Sequence, residues 1–120
     1  MEGREQFETE LRLLGYKPEE RPQGHTVFRY IVMAGRFIGT EIFLGFVVPP
    51  EFPRIPPSGP HLSPCLFPLN PGAASHPGRV ATSDFGSDWQ YLSRPYTNWG
   101  KDGRTVKAYL AFINHLFATM

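Results

Sequence analysis

Five side chains in one stretch of this sequence, His76, Ser83, Asp84, Asp88 and Ser93, are of the types that acyl transfer uses. A serine hydroxyl is a weak nucleophile until a neighbouring base takes its proton, and a carboxylate can orient that base. Such sets are defined by geometry, so their proximity in sequence names candidates and no more. Cys65, the single cysteine, lies between Pro64 and Leu66, with no basic residue within three positions. Apolar neighbours raise a thiol's pKa, and the residue reads as a small, buried, inert side chain. One cysteine allows no internal disulfide, and the four histidines show no ligand spacing, so neither a disulfide nor a metal site is expected. No glycine loop ends in Lys-Ser/Thr as a phosphate cradle does, and no carboxylate pair supports glycosidase chemistry.

The elements that must position these residues come from a chain of 120 residues that reads as one domain over residues 1–120. With 41% hydrophobic and 14% aromatic residues there is material for one core. A net charge of +1 and 19% charged residues argue against a disordered polyelectrolyte and against nucleic acid as a partner. The longest apolar run, 42–48, is far below the ~20 residues of a membrane span, and the charged N-terminus lacks a signal peptide's apolar core. A cytoplasmic protein without a membrane association is the expectation. Ten of the 13 prolines fall between positions 49 and 77, which confines the Pro-rich character to one segment.

Phe7, Leu11 and Leu14, spaced i, i+4, i+7, predict an N-terminal helix stopped by Gly15, with charged residues on its other faces. Residues 26–33 and 37–48 are dense in Val, Phe, Tyr and Ile, and the link 34–36 makes them an antiparallel hairpin of central strands. In the Pro-rich segment each proline removes a backbone donor, leaving at most a short edge strand over 59–63. A strand over 79–82, a Gly86-Ser87-Asp88 turn and the aromatic run 89–92 follow, with Trp89 and Trp99 as core or loop-clamping residues. Val106, Tyr109, Leu110, Ile113, Leu116 and Phe117 form one stripe of a C-terminal helix capped by Asp102 or Thr105. The fold class is α+β, one antiparallel meander with flanking helices.

This order of motifs resembles the ubiquitin-conjugating enzymes. In that family an N-terminal helix leads to a meander whose third strand enters a loop Pro-x-x-(Tyr/Phe)-Pro-x-x-Pro-Pro. A short strand, a His-Pro-Asn turn, the active-site cysteine, a tryptophan and a helix follow. Here Pro49-Pro50-Glu51-Phe52-Pro53-Arg54-Ile55-Pro56-Pro57 fits the loop position by position, and His76-Pro77-Gly78 and Trp99 stand in the later slots. The shortness of the chain and the run Trp89-Gln90-Tyr91-Leu92-Ser93-Arg94 look most like the compact bacterial relatives. No cysteine lies between His76 and Trp99, Cys65 lies upstream of the turn, and Gly78 replaces the asparagine that supports the oxyanion.

The resemblance implies a ubiquitin-conjugating-enzyme-like fold. It also implies acceptance of a ubiquitin-like protein's C-terminal acyl group from an activating-enzyme homologue, followed by transfer to an amine. Without the cysteine, the acyl group would ride as a serine oxyester. Ser93 lies nearest the slot before the tryptophan, with Arg94 beside it to stabilise negative charge, His76 as base and Asp84 or Asp88 as orienter. Ser83, beside Asp84, is the alternative acceptor. Such relatives are encoded next to an activating enzyme, a ubiquitin-like protein and a deconjugating peptidase, which are the implied partners. No metal or organic cofactor is implied, since ATP would be consumed by the activating partner. Partner surfaces carried over are the first helix through Arg4, Glu8 and Arg12, and the loop tip at Phe52, Pro53 and Ile55. The competing reading is a catalytically inactive module of this fold that docks the activating enzyme or the ubiquitin-like protein.

Overall fold

Side chains in a strand alternate between two faces, and two stretches rich in Val, Phe, Tyr and Ile use that alternation to bury one face under helices. In the computed structural model, which describes residues 3–21, 24–66, 80–92 and 96–119, they are β2 (His25–Ile31) and β3 (Glu41–Val47). β1 (Glu19–Arg21) pairs with the outer edge of β2, and β4 (His61–Ser63) with β3. β5 (Val80–Ser83) and β6 (Gly86–Leu92) complete an antiparallel sheet of order β1-β2-β3-β4-β6-β5. α1 (Gly3–Leu13) and α2 (Val106–Thr119) flank it. The chain is thus an α+β domain with an antiparallel sheet and N- and C-terminal helices. Among the described residues no helix is long and apolar enough to cross a membrane.

The register Phe28↔Leu44 and Tyr30↔Ile42 puts these four side chains and Phe46 on the helix side of the sheet. Phe46 meets Phe7 of α1 at 5.3 Å, Tyr109 of α2 at 5.4 Å and Phe28 at 6.0 Å between ring centroids. The stripe on α2 is buried at all six expected positions. Each large side chain so buried contributes roughly 1.5–3 kcal/mol relative to exposure. α2 starts where Thr105 Oγ1 accepts the Ala108 N–H at 3.1 Å, so Thr105 is the cap. Glu10 Oε1 accepts the Val106 N–H at 2.9 Å, which ties the two helices together at a helix N-terminus that favours negative charge.

Several boundaries differ from the expectation. The link between β2 and β3 is 32–40, not 34–36. Gly35 and Gly39 take positive φ (80° and 87°), and Val32 closes the turn by bonds with Gly39 and Thr40. A Cβ on Gly35 would stand 1.9 Å from the Phe117 carbonyl oxygen, so glycine also lets α2 come this close. Leu14 lies past the end of α1 and is 42% exposed, so Phe7 and Leu11 are the large apolar side chains that helix buries. β4 is interior and not an edge, because the later hairpin pairs with its free side. The turn before β6 is Asp84-Phe85, and Gly86-Ser87-Asp88 belongs to the strand.

Candidate functional site

The sheet face away from the helices carries the polar chemistry. The register Gly45↔His61↔Tyr91 sets a glycine, a histidine and a tyrosine side by side on β3, β4 and β6. Gly45 leaves a hole in that face, and Phe85 from the β5–β6 turn fills it. A Cβ at Gly45 would lie 2.4 Å from Phe85 Cε2 and 3.1 Å from Trp89 Cζ3. The Phe85 ring stacks on His25 at 3.8 Å and 7°, and on His61 at 4.2 Å and 23°. This places the turn, and Ser83 just before it, over the middle of the sheet.

Ser83 Oγ lies 2.7 Å from His61 Nδ1 and accepts the Phe85 backbone N–H at 3.0 Å. In the tautomer that carries its proton on Nε2, Nδ1 accepts the Ser83 hydroxyl proton, the alignment a serine needs to lose it. His61 is 8% exposed, and its pKa is lowered to about 4, first by burial, then by the charge of His25, with Asp84 opposing. The imidazole is therefore neutral near pH 7 and able to accept the proton. A base of that pKa is weak, so its pull on the hydroxyl is modest. Tyr91 packs on its other flank at 4.7 Å.

Of the expected site residues, Ser83 is in this pair and Asp84 acts on it through its charge. Ser93, His76 and Arg94 lie outside the described residues. Asp88 is exposed and stands by Cys65, whose Sγ is 3.6 Å from the Asp88 carbonyl. Cys65 is exposed, a correction to the buried reading, because it follows β4 into the loop instead of facing the core. Partial desolvation and the Asp88 carboxylate both push its thiol pKa up, so it stays protonated and unreactive at neutral pH.

The expected partner surfaces are also redistributed. Glu8 is 3% exposed, accepts the Thr26 hydroxyl at 2.8 Å, and lies 3.7 Å from Arg4 and 3.6 Å from Arg12. Its carboxylate is an internal anchor between α1 and β2, and only the two arginines reach solvent. Phe52 is fully buried against Phe7 and Trp99, a correction to its place at an exposed tip. Pro53 is half-buried, and its carbonyl accepts the Trp99 indole N–H at 2.7 Å. Ile55 remains exposed.

Sequence reasoning missed His61, His25, Gly45 and Phe85. The one available signal was a glycine inside an otherwise apolar strand, which marks close approach by another group. No family model matches the chain, and neither the curated proteins nor the solved structures give a match.

Proposed function

We propose that this chain is an acyl carrier of the ubiquitin-conjugating type, with Ser83 as acceptor and His61 as its base. The observation that carries this reading is the 2.7 Å contact between Ser83 Oγ and a neutral, buried His61, completed by the Phe85 N–H. The conjugating-enzyme-like fold is supported by chain order. A helix precedes a meander whose third strand, β3, enters the nine-residue Pro-rich loop, followed by a short strand, the β5–β6 hairpin, a tryptophan and a helix. The Trp99–Pro53 hydrogen bond gives that tryptophan a reason to accompany that loop.

In the proposed step Ser83 Oγ attacks the carbonyl carbon of a ubiquitin-like protein's C-terminus, held as a thioester on the activating enzyme. The O–C bond forms, the C–S bond breaks, and the hydroxyl proton passes through His61 to the departing thiolate. An acceptor amine then attacks the ester, the N–C bond forms, and the serine oxygen leaves with a proton. An ester reacts more slowly with amines than a thioester does, so the second step depends on close positioning of the amine. Arg4 and Arg12 on α1, and Ile55 on the loop, are the solvent-facing members of the partner surfaces. The low pKa of His61 favours a second reading, a docking module whose serine is never acylated.

A fluorophosphonate probe, which phosphonylates activated serines, tests the pair without any partner. Intact mass followed by peptide mapping is expected to place one label on Ser83. The rate should fall about 100-fold in His61→Gln, the low end for loss of a general base, and be unchanged in Ser93→Ala. A thiol-stable, base-labile adduct on mixing with the neighbouring activating enzyme, ubiquitin-like protein and ATP, lost in Ser83→Ala, completes the case. Label on Ser93 moves the site. No label and no adduct, although the proteins co-purify, leaves the docking module.

A further inference from the structure

We propose that the outer edge of β2 at Arg29 and Ile31 receives an extended, acidic and apolar peptide segment of a partner protein, which joins the sheet as a strand in line with β1. The inference is independent of the acyl chemistry. Val32 donates to the Thr40 carbonyl and accepts the Gly39 N–H, so its backbone faces β3. Backbone direction alternates along a strand, so Tyr30 and Phe28 also face β3, while Val27, Arg29 and Ile31 face outward. β1 covers Val27 through Glu19 and then ends. Continuing its register would set Lys17 opposite Arg29. The pairing stops at Glu19↔Val27, no backbone hydrogen bond among the described residues joins Lys17 to Arg29, and both line a cleft with Gly15, Tyr16, Glu19, Arg21 and Phe43. Among the described residues, no backbone group pairs with the outward N–H and C=O groups of Arg29 and Ile31.

Open edges invite strand addition, and proteins commonly blunt them. β1 is blunted in this way, being three charged residues after Pro18. The edge beyond it is not: Ile31 and Met33 are 56% and 52% exposed. A cavity of about 460 Å³ opens there, lined by Tyr16 and Tyr30 on the helix side, by Arg29 and Ile31 on the other, and by Met33 and Glu41, the carboxylate that pairs with Arg29. Unpaired backbone donors and acceptors select an extended chain, and the cavity selects an apolar side chain in it. Positions 28–33 offer about 17 Å at ~3.3 Å per residue, room for a segment of about five residues.

Charge selects the acidic character. Arg21 pairs with Glu19 at 3.3 Å and Arg29 with Glu41 at 3.7 Å. Both pairs are exposed and cheap to rearrange. Lys17 has no carboxylate partner among the described residues, so this edge carries one uncompensated positive charge.

Amide hydrogen exchange by NMR on the whole chain tests the proposal, with acetyl-Glu-Val-Glu-Ile-Glu amide as the probe. In the free protein the Arg29 and Ile31 amides should exchange about 100-fold faster than those of Phe28 and Tyr30. Saturating probe should slow them about tenfold or more, and Ile31→Asp should weaken binding while Phe28 and Tyr30 stay protected. The same peptide N-methylated at alternate residues should give no protection. Protected Arg29 and Ile31 amides in the free monomer, or no slowing with probe, overturn the open edge. Equal binding of the N-methylated peptide reduces the site to an apolar contact and overturns strand addition. Equal binding of a lysine-for-glutamate probe overturns the acidic preference. Protection that grows with protein concentration, with a dimer in sedimentation, overturns the partner in favour of a second copy.

Discussion

At the scale of single residues, His61 is the group whose environment decides what Ser83 can do. Burial and the charge of His25 hold its pKa near 4, well below the ordinary 6.5. The two causes can be separated. His25→Gln removes the charge and leaves His61 as buried as before, so the His61 pKa should rise, read from its ring carbon-bound protons in an NMR titration. An unmoved value would assign the whole depression to burial. The same shift dictates a pH dependence of stability. The unfolded chain protonates His61 near pH 6.5 while the folded chain resists until about 4, so the unfolded state binds more protons as pH falls. The contribution of neutral His61 is complete above pH 6.5 and is lost progressively towards pH 4, by at most about 1.4 kcal/mol per pH unit for one proton. Urea midpoints at pH 7 and pH 5 should therefore differ less in His61→Gln than in the parent chain. An equal difference would place the acid sensitivity in other groups.

At the scale of elements, the β5–β6 hairpin is aimed by one ring in one hole. Gly45→Ala puts a methyl where Phe85 sits, and the aromatic ring must leave or the strand must shift, at a cost of about 1–3 kcal/mol. Ser83 should move away from His61, and fluorophosphonate labelling should slow by about tenfold or more. Phe85→Ala alone removes the stacking on both histidines. In the double variant Gly45→Ala with Phe85→Ala the clash is gone, so stability should recover part of the Gly45→Ala loss. Additive losses in the double variant would mean that the two residues are not coupled. This hairpin also marks where the sequence stopped being legible. The helices, the β2–β3 pair and the stripe on α2 follow from periodicity, which is local. That His61 lies beside Gly45 and under Ser83 follows from strand register across 22 residues, for which the sequence gives no local signal. The resemblance alone carries Phe52 to a partner surface, and Trp99, 46 residues away from Pro53, instead draws the loop onto the core.

At the scale of the whole molecule, the sheet separates stability from chemistry. Its helix side holds the main apolar core, with Phe46 touching α1, α2 and β2 at once. Its other side holds His25, His61, Phe85 and Tyr91, and among the described residues Val27 is the one fully buried apolar residue there that stands apart from the main core cluster. A perturbation of the first side should therefore lower the stability of the entire domain without altering the second in the molecules that remain folded. Phe46→Leu serves as the test, since the larger truncation to alanine would cost about 3–5 kcal/mol and threaten folding outright. The leucine variant should lose about 1–2 kcal/mol, and its urea transition should coincide by tryptophan fluorescence and far-UV circular dichroism, because Trp99 and both helices share the core that Phe46 joins. Well below the midpoint, Ser83 should take the fluorophosphonate label at the parent rate. A labelling rate that falls in step with the midpoint would show that the serine–histidine pair is held by the helix-side core, and the sheet would then transmit packing from one face to the other instead of insulating them.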